Sequence, residues 1–283
     1  MPLNSTSATS LPPQKLMERC CRTPWVSYLP PFRMAPGVYY VSGNDWVACY
    51  LIDTGAGLIL IDTAMHETCY LMLECIRSLG YDPMDIKKIL LTHAHADHIG
   101  AARTMKELTG ARVYLGERDL FMIHERKDLI CSDGYTCGDI EPDEIYLDDK
   151  PIVQGNVSVR TISTPGHTPG CTSMIFDVKE KDGRIYTCGI HGGVGLNTLS
   201  REFLEQNGLP LSLQKEFCES LRMMDRLQVD ICLPSHTNQV GIIPLIGEIT
   251  DTHNPFVDES IWHELMHERL DRMEALIRSV PLL

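Results

Sequence analysis

The sequence predicts an α/β protein built as a four-layer αββα sandwich, with two sheets packed face to face and helices on the outer faces. Three observations carry this reading. Each half of the chain runs through short apolar segments punctuated by Gly, Asn and Asp and then turns helical. No Pro/Gly/Ser-rich linker divides the halves, so both belong to one domain. No period of 20–50 residues repeats, as a solenoid or propeller would require. At 283 residues the chain can bury a sizeable core.

The elements follow in order. Residues 1–36 are Pro-rich and irregular, with Trp25, Tyr28 and Phe32 as apolar anchors, and read as an arm packed on the domain formed by residues 37–283. From Gly37 the pattern turns to strand at Val38–Ser42 and Val47–Asp53, then Leu58–Asp62 after a Gly55-Ala56-Gly57 turn. Apolar residues at helical spacing fill Glu67–Leu79 and stop at Gly80, a C-terminal glycine signal. Ile86–Leu91 reads as a strand buried on both faces. A helix at Ile99–Thr109 ends at Gly110, Arg112–Leu115 is a short strand, and residues 117–127 read as helical. The acidic stretch Asp139–Glu144 is expected to be a solvated loop. Strands resume at Ile152–Gln154, Val157–Ser163, Cys171–Val178 and Arg184–Gly189. A helix at Leu213–Leu227, a strand at Ile231–Pro234 and an amphipathic terminal helix at Asp258–Ile277 complete the chain.

Charge and cysteine usage exclude several function classes. Lys and Arg total 25 against 38 Asp and Glu, a net charge of −13. That balance argues against nucleic acid and anionic membranes as partners, since both select a basic field. No apolar run approaches the roughly 18–20 residues of a membrane span. The eleven cysteines are scattered and contain no C-x-x-C pair, so neither a zinc ribbon nor a thioredoxin motif is present. They read as small buried hydrophobes in a reducing compartment, with Cys131 and Cys137 flanking a loop that could pair under oxidation. Residues 1–30 carry no leader pattern, so the expected location is the cytoplasm, unless the chain begins after a removed signal.

The chemistry concentrates in the histidines. Directly after the Ile86–Leu91 strand comes Thr92-His93-Ala94-His95-Ala96-Asp97-His98-Ile99-Gly100, four candidate ligands within six residues. In an extended segment, side chains two apart project to one side, so His93 and His95 can pinch one ion. Asp97 and His98, at the turn into a helix, suit a second ion nearby. Imidazole with carboxylate is a ligand set for zinc, and also for iron or manganese. His167 and His236 end later strands, where such ligands commonly sit.

His93-Ala94-His95-Ala96-Asp97-His98 resembles the H-x-H-x-D-H motif of the metallo-β-lactamase superfamily, and the order of strand, motif, Gly166-His167 and a last strand-end His236 is similar too. The resemblance runs from about Pro31 to the terminal helix. It implies that His93, His95 and His167 hold one zinc, that Asp97, His98 and His236 hold a second, and that Asp97 also orients the nucleophile. A finer likeness is to subclass B3. Pro31-Phe32-Arg33, Thr164-Pro165-Gly166-His167-Thr168-Pro169-Gly170 and Asn254-Pro255-Phe256-Val257-Asp258 resemble that group. Much of the superfamily places a metal-bridging Asp after the next strand, where this chain has Thr187-Cys188-Gly189-Ile190-His191; subclass B3 lacks that Asp as well. The Gly-rich segment at 191–195 stands where the antibiotic-hydrolysing enzymes usually carry serine. His191, Asn197, Trp25 and Tyr28 are candidate substrate contacts.

The implied activity is that of a dinuclear zinc hydrolase, in which a hydroxide generated by the metals attacks the carbonyl of a cyclic amide, β-lactams being the nearest substrate class. A cytoplasmic hydrolase of an ester, lactone or thioester is the first alternative. A non-hydrolytic metal or redox protein on the same fold is the second. The substrate is expected to be a small molecule, and nothing in the sequence sets an oligomeric state. A literal H-E-x-x-H at His263–His267 competes as a zinc motif. It is discounted because Ile261, Leu265, Leu270, Met273 and Leu276 make its helix a core helix, and the downstream ligands such sites need are absent.

Overall fold

Alternation along the strands sorts the core into layers. In the computed structural model, which describes residues 11–130, 137–250 and 252–279, Leu58 and Leu60 face one side of their strand while Ile59 and Ile61 face the other. All four are buried, so that sheet is covered on both faces.

The first sheet has seven strands in sequence order: β1 (Phe32–Ala35), β2 (Val38–Tyr40), β3 (Tyr50–Asp53), β4 (Leu58–Ile61), β5 (Ile86–Leu90), β6 (Arg112–Leu115) and β7 (Glu144–Ile145). β1 to β4 pair antiparallel; β4 to β7 pair parallel, joined by helical crossovers. The second sheet contains β8 (Ile152–Gln154), β9 (Val157–Ser163), β10 (Thr172–Lys179), β11 (Ile185–Ile190) and β12 (Ile231–Cys232), in the order β12-β11-β10-β9-β8. Its pairs are antiparallel except β11 with β12.

The helices are α1 (Pro13–Arg22), α2 (Cys69–Ser78), α3 (Ala96–Ile99), α4 (Ala102–Thr109), α5 (Leu120–His124), α6 (Arg201–Gln206), α7 (Ser212–Met224), α8 (Ile242–Leu245) and α9 (Glu259–Arg278). Three clusters fill the spaces between layers. Tyr40, Ile52, Ile59, Val159, Phe176 and Ile231 lie between the sheets. Leu51, Leu60, Ile89 and Val113 meet Met72, Ile76 and Met105 of α2 and α4. Ile175 and Cys232 meet Phe217, Leu221, Trp262 and Met266 of α7 and α9. The expected αββα sandwich is the observed architecture.

Several boundaries move for local reasons. The segment 11–36 is not irregular throughout: it holds α1, whose Leu16 and Cys20 are buried in the α2-side cluster, and β1, the edge strand of the first sheet. β5 is not buried on both faces at its start. Lys87 is exposed and Lys88 half-buried, with Lys87 Nζ donating to the Met84 carbonyl at 3.1 Å. The helix expected at 99–109 breaks at Gly100-Ala101 into α3 and α4. A Cβ at Gly100 would lie 2.5 Å from the Ala96 carbonyl oxygen and 2.7 Å from the His66 nitrogen, so only glycine allows this approach. The acidic stretch ends in a strand, because Glu144 opens β7. The terminal helix begins as expected, with the Asp258 carboxylate accepting from Ser260 N–H at its N-cap.

Cys20, Cys49, Cys69, Cys75, Cys171, Cys188, Cys218 and Cys232 are buried thiols, and burial pushes Cys69 and Cys75 up to about 11. Cys131, and with it the expected Cys131–Cys137 pairing, lies outside the described residues. Among the described residues no helix is long and apolar enough to cross a membrane.

Candidate metal centre

The site forms where β5 runs out at the end of the first sheet. The segment Leu91–His95 leaves β5 with bends at Thr92 and Ala94 and enters α3, and His95, extended at φ −90°, is the residue before the first helical turn. Two loops of the second half close on it: 164–170, between β9 and β10, and 191–199, after β11. His236 follows β12, where Val47 bridges to it in antiparallel fashion.

Two clusters of donor atoms result. His93, His95 and His167 form one, and Asp97, His98 and His236 the other, each with one ligand atom per residue within 4.8 Å of the others. In the first, His95 Nδ1 is 3.0 Å from His167 Nε2, and the three ring centroids are 4.6–4.8 Å apart. In the second, His98 Nε2 is 3.4 Å from His236 Nε2, and Asp97 Oδ2 is 3.7 Å and 3.6 Å from those nitrogens. The clusters adjoin, with the His93 and His98 rings 4.1 Å apart.

Whether cations fit can be read from the tautomers. His93 Nδ1 is 2.8 Å from the Gly192 carbonyl, His167 Nδ1 2.9 Å from the Gly195 carbonyl, and His98 Nδ1 2.8 Å from the Asp62 carboxylate. An acceptor at each Nδ1 puts the proton there and leaves Nε2 with an outward lone pair. Converging lone pairs and a carboxylate oxygen repel one another unless a cation lies among them. His93 Nε2, buried and without a hydrogen-bond partner, makes the same point. The residues present fit two nitrogen/oxygen-liganded divalent metals.

Electrostatics keep these groups ready to ligate. Burial, then the neighbouring imidazoles, hold His95 down to about 3; burial dominates at His236, about 3, and at His167, about 4. Burial alone would lower His98, but Asp97 and Asp62 beside it raise it above the ordinary imidazole value. Burial alone would raise Asp97; the surrounding histidines hold it below the usual carboxylate range.

The sign for stability follows. Unfolded histidines protonate near 6.5, while His95, His167 and His236 resist protonation to about 3 or 4 when folded. Between those limits the unfolded chain binds more protons, so their contribution is present above about pH 6.5 and is lost as the pH falls. His98 and Asp119, whose pKa values are raised, act in the opposite direction and are outnumbered. The chain stripped with a chelator is expected to show a melting temperature that falls steadily from pH 7 to pH 4.5, measured by circular dichroism. A melting temperature flat across that range would contradict the assignment of these histidines as buried and neutral.

Two carboxylates that support the site carry no signal in the motif. Asp62 follows β4, adopts φ 56°, and accepts from Thr92 N–H at 2.7 Å, Thr92 Oγ1 at 2.7 Å and His98 Nδ1 at 2.8 Å. Asp119 accepts from Ala94 N–H at 2.9 Å, Thr168 Oγ1 at 2.8 Å and Gly170 N–H at 2.6 Å, tying the His93–His98 loop to the His167 loop. Burial pushes the Asp119 carboxyl up to about 6, against the pull of those donors. The one sequence sign for Asp62 is its place, a lone carboxylate directly after the apolar Leu58–Ile61 run; Asp119 offers none.

The remaining candidates separate. A cleft of about 530 Å³ is lined by His93, His95, Asp97, His167 and His236, and by Asn197, Trp46 and Arg269. His98 lies beneath it, 1% exposed at its side chain. His191 does not line the cleft. It is buried behind the 192–195 turn, its Nδ1 accepting from Gly193 N–H at 3.2 Å. Trp25 and Tyr28 are corrected as well: they are 65% and 37% exposed on the turn after α1 and do not line the cleft. His263 and His267 both hydrogen-bond Asp225, at 2.8 Å and 3.0 Å, on the outer face where α9 meets α7.

Comparison with known proteins agrees with this geometry. The model of the metallo-beta-lactamase superfamily matches residues 45–181. The uncharacterized protein YobT of Bacillus subtilis is 32% identical over 46% of this chain and 56% of its own length. The N-acyl homoserine lactonase AttM of Rhizobium radiobacter is 31% identical over 36% of this chain and 40% of its own. This chain thus spans well under two thirds of either relative. Among solved structures, the subclass B3 metallo-beta-lactamase BJP-1 of Bradyrhizobium japonicum superposes with a TM-score of 0.80 at 25% identity, covering 91% of this chain and 97% of that one. The class B3 di-zinc metallo-beta-lactamase LRA-12 from an Alaskan soil metagenome gives 0.77 at 26%, covering 89% and 96%. Family match, near full-length architecture and paired donor clusters agree: residues 45–181 match the metallo-β-lactamase superfamily, and the chain has subclass B3 enzymes as structural neighbours.

Proposed function

We propose that the protein is a dinuclear zinc hydrolase that opens a cyclic amide, with activity on β-lactams. The observation that carries this is the pair of adjoining donor clusters with no residue shared between them, at the floor of a cleft large enough for a small molecule. The likeness to LRA-12, a di-zinc enzyme, supports zinc and the number two. His93, His95 and His167 would hold one ion, and Asp97, His98 and His236 the other. When bound, two zinc ions supply an acidified water at neutral pH and an electrophile for a carbonyl oxygen.

The chain's own groups prepare that chemistry. The Gly192 and Gly195 carbonyls and the Asp62 carboxylate fix three tautomers, so no ring has to turn before a ligand atom is presented. Asp97, held anionic, is the one carboxylate among the six donor residues, so two divalent ions would leave the loaded site positive toward a developing oxyanion. Burial of His93 and His98 shields the floor of the cleft from bulk water.

A second reading has an observation of its own, the likeness to AttM: hydrolysis of a lactone, ester or thioester. Location in the cytoplasm would accompany that alternative. The panel that separates the readings is a chromogenic cephalosporin, a homoserine lactone and a glutathione thioester, offered to zinc-loaded enzyme. Turnover of the cephalosporin is expected. Its absence at micromolar enzyme, with turnover of either other substrate, would transfer the conclusion to the second reading. An iron-dependent absorption band with no hydrolysis would favour a redox protein instead.

A further inference from the structure

The amphipathic stripe of α9 contains one residue that does not belong in it. Trp262, Leu265, Met266 and Met273 turn inward and are buried. Position 269, one turn from Met266 and from Met273, falls on the same face, yet carries arginine. Its side chain is 14% exposed and reaches the cleft wall beside His236. Among the described cleft-lining residues it is the sole Lys or Arg.

The guanidinium is poorly matched where it lies. Arg269 Nε is 3.0 Å from Glu268, but the geometry makes no hydrogen bond, and the atom is buried without a partner. Glu268 is also 3.0 Å from Arg272, so one carboxylate serves two cations. The other charged groups on the cleft wall give no relief. Asp128 is engaged by Arg126 at 2.8 Å, and Asp97 belongs to the second donor cluster. Burying a guanidinium without full pairing is costly. Burial also pulls its pKa below the ordinary arginine value.

We propose that Arg269 is the specificity-determining residue of the cleft, holding a carboxylate borne by the substrate at some distance from the bond that is cleaved. The planar fork of five donors suits a carboxylate bound by two parallel hydrogen bonds. One surplus cation matches one negative charge, which favours a monocarboxylate over a phosphate dianion. Asn238 and Gln239, beside His236 on the same wall, are neutral and do not oppose an anion. The inference rests on the hydrolase reading and narrows it: the substrate is an acyl compound with its own carboxylate, and a lactone with a neutral acyl chain lacks the group the cleft is built to hold.

The test uses the zinc-loaded full chain with Arg269→Met, which restores the apolar stripe, and Arg269→Lys, which keeps the charge without the fork. Hydrolysis of mono-p-nitrophenyl glutarate is compared with that of neutral p-nitrophenyl valerate. The ratio of kcat/KM for the anionic over the neutral ester is expected to fall tenfold or more in Arg269→Met, through KM, and to be partly retained in Arg269→Lys. An unchanged ratio, including an equal loss on both esters, would overturn the proposal. Should the wild type hydrolyse neither ester, it is the activity on esters that fails, and glutarate binding by isothermal titration calorimetry decides about Arg269. Affinity at least tenfold weaker in Arg269→Met supports the assignment; equal affinity, or no binding to the wild type, overturns it.

Discussion

His167→Ala is expected to lower hydrolytic turnover on the order of a thousandfold and to lose metal from the first donor cluster while leaving the fold in place. His167 is half-buried on the rim, held by its Nδ1 contact to Gly195 and by Thr198 Oγ1, which donates to the His167 carbonyl at 2.7 Å. The latter bond uses the backbone and survives the substitution, so the loop keeps its path. What disappears is the Nε2 lone pair 3.0 Å from His95 Nδ1, leaving two imidazoles where three converged. Zinc content by plasma emission spectroscopy should fall by about one equivalent in parallel with the rate, with a wild-type circular dichroism spectrum. Full activity in His167→Ala would remove this residue from the site.

The second large effect is expected at Asp62, which touches no cleft wall. Asp62→Ala leaves Thr92 N–H, Thr92 Oγ1 and the His98 Nδ1 proton buried without their acceptor. Unmet buried donors cost about 1–3 kcal/mol each, and loss of one partner of a buried charged network about 3–5 kcal/mol. Asp62→Ala should therefore melt on the order of 10 °C lower, or fail to accumulate as folded protein. Asp62→Asn separates structure from chemistry, because it keeps the shape but turns one acceptor into a donor. An amide N–H facing His98 Nδ1 forces the imidazole proton to Nε2 and turns a proton, not a lone pair, toward His236 and Asp97. Zinc affinity at the second cluster is then expected to fall about 10–100-fold with most of the stability retained. Equal zinc affinity in Asp62→Asn, read by competition with a chromogenic chelator, would show that Asp62 does not set the His98 tautomer.

These two residues mark what sequence could and could not reveal. His93, His95, Asp97 and His98 stand together in the chain, and the rule that residues two apart in extended backbone share a side already divides them into pairs. His167 and His236 were legible because each stands just past a segment that reads as a strand, a local feature. The layers were legible too, since β3 and β4 alternate in two-residue steps between two cores. Asp62 and Asp119 were not, because their role depends on what lies 30 and 51 residues away. A carboxylate whose partners are backbone N–H groups and side chains remote in the chain leaves no local pattern of residue types to read. Arg269 is legible only once the structure shows that α9 turns that stripe toward the cleft; in the sequence it is one more charge on a helix. α1 and β1 of the arm were hidden for the opposite reason: its prolines suggest irregularity, and burial of Leu16 and Cys20 in the α2-side cluster is a tertiary effect that propensity does not report.

The central claim is that two adjoining zinc ions sit in the two donor clusters. Anomalous diffraction at the zinc edge from crystals of the zinc-loaded chain tests it most directly. Two peaks are expected, one ringed by His93, His95 and His167 and the other by Asp97, His98 and His236. A single peak, a peak outside these clusters, or an anomalous signal at the iron edge in its place would contradict the account.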